Sequence, residues 1–218
     1  MSFGCTSVYS GTVYPTELVI FQTDGAAAGT QPISTIDMAA LGYSGTFANA
    51  HLSPDDSMIV FEGGTTNSTG LLSAGTYVVA SNGESAPVLL APDTDSDHDV
   101  LGNPRFTPDG TEILYSQGGT VWIMNADGSN PQQLLTIASE NAEFSPSMTT
   151  LYYQTTGGVY VANADGSDPV SIAGSAYSFL GLSPNGQSML LSSPSGIFTA
   201  TSMGGSLQQL NVSTWADW

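Results

Sequence analysis

Val121-Trp-Ile-Met-Asn-Ala-Asp-Gly-Ser129 and Val159-Tyr-Val-Ala-Asn-Ala-Asp-Gly-Ser167 carry one pattern twice, 38 residues apart. A second marker keeps that spacing through Thr107-Pro108-Asp109-Gly110, Ser145-Pro146 and Ser183-Pro184-Asn185-Gly186, with Ser53-Pro54-Asp55 a further 54 residues upstream. Two independent markers at one offset identify an internal repeat, and each repeat is one supersecondary unit. Six residues after each Ser or Thr of the marker stand Ile59, Ile113, Leu151 and Met189; eight after it stand Phe61, Tyr115, Tyr153 and Leu191. Apolar residues two apart mark a strand. The Pro-Asp-Gly before it is a turn, because Pro presets φ and Gly accepts φ > 0. A Gly-rich turn (Gln117-Gly118-Gly119), a strand at Val121–Met124, the Asn-Ala-Asp-Gly turn and a short strand at Gln132–Leu135 follow. Leu52, Phe106, Phe144 and Leu182 mark one more strand just before each marker. Four short strands per repeat make one blade of a β-propeller.

Working outward places the ends. Leu18-Val-Ile-Phe-Gln-Thr-Asp-Gly25 matches the third strand and its turn, so Ser7-Val-Tyr-Ser10 is a second strand and the first blade lacks its innermost one. Val212–Trp218 follows the last fourth strand and can supply it, with Trp215 or Trp218 at the inner apolar position. Such an exchange closes the ring and hides sheet edges. The expectation is all-β: a single propeller domain over 1–218, with five four-stranded antiparallel blades at 5–35 plus 212–218, 47–90, 102–135, 140–172 and 177–210. A fragment of a larger ring is the alternative, and the complementary ends argue against it.

The 218 residues hold 19 acidic residues, one Arg, no Lys and a formal net charge of −18. Phosphate backbones and anionic lipid both require clustered Lys or Arg, so nucleic acid and membrane surfaces are excluded as partners. Cations, or proteins with basic patches, are favoured. No run approaches a membrane-spanning length. Charged residues are 9% of the chain, leaving a surface of Ser, Thr, Asn, Gln and Gly suited to an extracytoplasmic setting. Cys5 is the sole cysteine, so no intrachain disulfide forms. Ser2-Phe3-Gly4-Cys5 has the end of a lipoprotein signal but no charged or apolar region before it, and no signal is expected.

Ser-Pro-Asp-Gly, an aromatic strand and Asn-Ala-Asp-Gly-Ser together resemble the WD-like propeller repeat of the TolB type, best over 103–210. The resemblance implies the propeller fold. It leaves function open, since such repeats occur in periplasmic assembly proteins, in propellers attached to serine peptidases and in secreted lyases. TolB itself carries an added α/β domain and usually six blades, neither of which is expected here.

Two places invite chemistry. Asp93, Asp95, Asp97 and Asp99 alternate in Asp93-Thr-Asp-Ser-Asp-His-Asp99 and could surround a Ca²⁺ ion, which takes 6–8 hard oxygens. The competing reading is a solvated acidic loop, and His98 beside it reads as a loop residue. The twelve-residue helix-flanked calcium pattern is absent. This loop and the Gly63–Gly75 turn lengthen the second repeat on one face, where recognition usually sits. The second place is the inner-strand position holding His51, Arg105, Glu143 and Gly181, with Thr214 or Asp217 in the last blade. Arg105 and Glu143, one blade apart, could pair there, and His51, Arg105, Glu143 and Asp217 are the candidate binding residues. The Asn-Ala-Asp-Gly turns need no metal, because Asn and Asp bond their own backbone.

No nucleophile elbow, zinc helix or phosphate loop is present, and two His with one Arg leave most catalytic schemes short of parts. No catalytic residue is assigned and the chain is expected not to be an enzyme. Three functions remain: a protein-binding or assembly scaffold, a self-assembling structural subunit of a surface layer or filament, and a glycan-binding propeller stacking sugars on Trp122 or a tyrosine. Asn67-Ser-Thr69 and Asn211-Val-Ser213 are glycosylation sequons for an exported chain.

Overall fold

A computed structural model describes residues 2–9, 15–23, 31–41, 45–66, 72–93, 103–139 and 141–210. Among these residues the secondary structure is all strand and turn. The first sheet is three-stranded: β1 (Ser2–Tyr9), β2 (Pro15–Thr23) and β3 (Gln31–Asp37). The second holds β4 (Gly45–Leu52), β5 (Met58–Thr66), β6 (Leu72–Ala80) and β7 (Val88–Pro92). The third holds β8 (Arg105–Phe106), β9 (Glu112–Gln117), β10 (Thr120–Asn125) and β11 (Gln132–Ala138). The fourth holds β12 (Asn141–Phe144), β13 (Thr150–Thr155), β14 (Gly158–Asn163) and β15 (Val170–Gly174). The last holds β16 (Ser178–Leu182), β17 (Ser188–Ser193), β18 (Gly196–Thr201) and β19 (Gln208–Gln209). Every pairing is antiparallel and runs in chain order, as in the four-stranded blades of a propeller. The segment 212–218 expected to complete the first blade lies outside the described residues.

The core lies between sheets. Leu18 and Ile36 of the first sheet pack on Phe47, Ile59, Phe61, Tyr77 and Val79 of the second. Val60 and Ala91 meet Ile113, Tyr115 and Met124 across the next gap. Leu114, Val121 and Leu135 meet Phe144, Leu151 and Tyr153, while Tyr152 and Val161 meet Phe179, Met189 and Leu191. Successive side chains of a strand point to opposite faces. The middle residue of each second strand (Val60, Leu114, Tyr152) therefore serves one neighbour while its flanks serve the other. Blades covered on both faces explain why these strands read as apolar runs rather than strict alternations.

The repeat's glycines sit where blades touch. Gly128 (φ +85°) and Gly166 (φ +80°) close the Asn-Ala-Asp-Gly turns, and an added Cβ would lie 3.1 Å from Leu90 and 2.8 Å from Leu135, each on the fourth strand of the preceding blade. These positions need a left-handed backbone and a close approach at once, and Gly supplies both.

One expectation is revised. Within Gly63–Gly75, β5 and β6 stay paired as far as Thr66↔Leu72, so residues 63–66 and 72–75 are strand rather than loop, and 67–71 lie outside the described residues. Glycine content alone does not end a strand.

Candidate inner-strand site

The first strands of successive sheets lie side by side and exchange side-chain contacts. His51 Nε2 stands 2.8 Å from Asn103 Oδ1, Asn103 Nδ2 donates to Asn141 Oδ1 at 3.1 Å, and Asn141 Nδ2 donates to the Phe179 carbonyl at 2.9 Å. The carbonyl at the end can only accept, which orients both amides. Asn103 Oδ1 is then an acceptor, so His51 must donate from Nε2. Neutral His51 thus carries its proton there, leaving Nδ1 as an acceptor. Burial first, then the charge of Arg105, hold the His51 pKa down to about 4, against a smaller upward pull from Asn103.

Two residues along, Arg105 Nη1 donates to Glu143 Oε2 at 2.6 Å, and the Leu182 amide donates to the same oxygen at 3.3 Å. The offset of one repeat brings these side chains together. Their exposures are only 15% and 23%. Burial raises the Glu143 pKa against the opposing pull of Arg105 and its hydrogen bonds. Arg105 Nε is enclosed with no hydrogen-bond partner. At the matching position of the next blade stands Gly181, where a Cβ would lie 3.4 Å from Glu143 Oε2 and 3.9 Å from Arg105 Nη1. His51, Arg105 and Glu143 line a cavity of about 250 Å³, walled by Leu52, Phe106 and Phe144 and rimmed by Pro54 and Pro108. The cavity offers hydrogen-bonding groups of both signs against apolar walls, the usual make-up of a ligand site.

Of the other candidates, Asp93 ends the described part of the second blade, its amide donating to the Ala74 carbonyl at 2.7 Å. Asp95, Asp97, Asp99 and Asp217 lie outside the described residues. Among those described, no group of three or more His, Cys, Asp or Glu is placed to hold a metal ion. Trp122 is half-buried against the Val60–Tyr115 cluster, its indole N–H bonded to Thr120 Oγ1 at 3.0 Å. The Asn103–Asn141 ladder escaped sequence reading. Its signal was available, two asparagines one repeat apart and two residues before Arg105 and Glu143.

No protein-family model matches the chain, and no curated protein does. Solved structures match through the fold. A protein assigned as TolB from Agrobacterium tumefaciens aligns with TM-score 0.65 and 17% identity, over 89% of this chain and 76% of that one. A chain of a nidogen/laminin complex aligns with TM-score 0.61 and 9% identity, over 92% and 73%. A puromycin hydrolase aligns with TM-score 0.59 and 17% identity, over 88% of this chain but 34% of its own. An oligogalacturonate lyase in complex with manganese and a dihydro-heme d1 dehydrogenase also align, with TM-scores of 0.54 and 0.53. These enzymes overturn the expectation that the chain is not an enzyme. That expectation came from missing side-chain motifs, and the fold serves hydrolases, a lyase and a dehydrogenase alike, so missing motifs do not set this chain apart from them. Identities this low carry the architecture and no activity. Among the described residues no helix is long and apolar enough to cross a membrane. The chain has the β-propeller fold, and its similarity to a TolB structure agrees with the repeat its sequence resembles.

Proposed function

We propose that this chain is an extracytoplasmic recognition propeller of five blades that binds a protein partner over the inner-strand cavity. The observation that carries the reading is the cavity itself, where three successive blades contribute different side chains and a fourth a backbone amide to one polar, partly enclosed site. Folds that repeat a scaffold and vary one position per repeat are suited to recognition. Similarity to a TolB structure and to a chain in a nidogen/laminin complex supports a protein partner. The Ser- and Thr-rich, Lys-free composition supports a place outside the cytoplasm. Completion of the three-stranded first sheet by 212–218 is part of this reading, as is calcium at Asp93, Asp95, Asp97 and Asp99, which rests on spacing alone.

Panning a displayed peptide library against the full chain tests the cavity. Binders are expected to lose signal on Pro108→Trp, which adds bulk at the rim. Binders indifferent to that change overturn the reading. Calorimetry with CaCl₂ tests the metal, and an absence of heat removes calcium from the proposal. A second reading, lateral self-assembly, is favoured by apolar side chains exposed on or beside the outer strands: Val88 at 55%, Val170 at 56% and Met203 at 67%. A single monomeric species in sedimentation at high concentration would end it.

A further inference from the structure

We propose that the inner-strand cavity takes a carboxylate group, presented by an acidic side chain of the bound protein and gripped by the Arg105 guanidinium. The inference rests on the reading of this cavity as the recognition site, and adds its chemistry.

Arg105 is the sole Lys or Arg among 218 residues that include 19 acidic ones. The chain places that one permanent cation inside the cavity. A guanidinium has five N–H donors. Glu143 takes one, through Nη1, and Glu143 Oε2 is shared with the Leu182 amide. Nε has no acceptor although it is enclosed. A buried donor left unpaired costs free energy, and an unpaired one in a folded protein calls for an explanation. Nε itself is closed to the outside, so an arriving acceptor meets the part of the Arg105 side chain that stays exposed, 15% of it. A carboxylate meets a guanidinium through two parallel N–H···O bonds, and the single contact to Glu143 leaves room for such a pairing.

The surroundings agree. His51 is held neutral with its Nε2 proton committed to Asn103, so it places no second cation beside Arg105. Gly181 leaves open the space a side chain would take over the ion pair. Leu52, Phe106 and Phe144 keep the cavity wall apolar, which strengthens a charged contact made there. The net charge of −18 opposes any anion at long range. That repulsion is screened within about 10 Å at 0.1 M salt, whereas a contact in a partly buried site is screened far less.

A single Arg makes the test unambiguous, since a ¹H–¹⁵N spectrum of the full chain holds one arginine Nε–H resonance. The probes are acetyl-Gly-Glu-Gly-amide, its Gln counterpart and succinate, each titrated at pH 7. The glutamate peptide is expected to move the Nε–H resonance saturably, and the Gln peptide to leave it in place. Raising salt from low to moderate strength is expected to tighten binding, opposite to an ordinary surface ion pair. Glu143→Gln, which keeps hydrogen-bonding atoms but removes the internal competitor, is expected to tighten it severalfold. Equal responses to both peptides, or none to either, overturn the proposal. Saturation by succinate alone also overturns it, and assigns the site to free small acids. Peptide-display binders that need the cavity but lack acidic residues sink the carboxylate and spare the recognition reading. Glutamate binding with rim-indifferent display binders does the reverse.

Discussion

Asp127 and Arg105 both stand at positions set by the repeat, yet their partners come from different places. Asp127 Oδ1 accepts from the Ser129 amide at 2.9 Å and the Ser129 hydroxyl at 2.6 Å, all within one turn, and these bonds hold its pKa below the usual carboxylate range. Asp165 and Ser167 repeat the arrangement one blade later. Arg105 finds its partner one blade away, and its Nε finds none. A polar group satisfied by its own turn is structure and needs nothing further. A polar group that depends on other blades and stays incomplete is the place to look for a ligand.

The largest expected effect tests the incomplete region. Glu143→Ala removes the carboxylate facing a mostly buried Arg105 and strands the Leu182 amide, for a loss of about 3 kcal/mol in urea unfolding at pH 7. The double change Arg105→Leu with Glu143→Leu is expected to recover most of that loss. A single change that costs nothing would mean that water already serves Arg105.

Acid comes next. His51 titrates near 6.5 unfolded and about 4 folded, so between those values the unfolded state binds more protons and stability is lost as pH falls. The full difference is about 3 kcal/mol from the 1.36 kcal/mol carried by each pKa unit, as an upper estimate. His51→Gln, which keeps a donor toward Asn103, is expected to flatten the curve over that window. Parallel curves for the two proteins would refute the burial of a neutral imidazole. Glu143 acts with the opposite sign: its raised pKa favours the folded state at low pH and withdraws that support as pH rises past 4.5.

The self-contained turns respond less. Thr107 is 1% exposed; its hydroxyl donates to Asp109 Oδ1 at 2.7 Å and accepts from the Glu112 amide at 3.0 Å. Thr107→Val is expected to cost about 1 kcal/mol in urea unfolding, the net value of such bonds. Asp127→Asn lies on the surface and keeps an acceptor, so its unfolding midpoint should move less than that of Thr107→Val. A larger shift there would erase the contrast between the two regions.

The blades were legible in the chain because a repeat writes its turn chemistry and its strand period in adjacent residues. Ile113 and Tyr115, Leu151 and Tyr153, and the two Asn-Ala-Asp-Gly turns fall where the 38-residue offset placed them. Residues 63–66 and 72–75 were misread as turn because glycine reports a permitted turn, while cross-strand pairing decides where the strands end. The candidate residues His51, Arg105 and Glu143 could be named from their common position, and the pair at 2.6 Å lies one offset apart. The direction of the asparagine ladder, the tautomer of His51 and the unpartnered Nε were not legible.

By itself, then, the sequence determined the repeat, the strands and turns within it, the excess of acid and the identity of the residues at the inner position. All of these follow from local backbone preference and from composition. Only the tertiary structure decided which side chains meet and which atoms remain unsatisfied. Those depend on how consecutive blades pack, through contacts between residues a full repeat apart, and no local preference encodes the distance between two such residues.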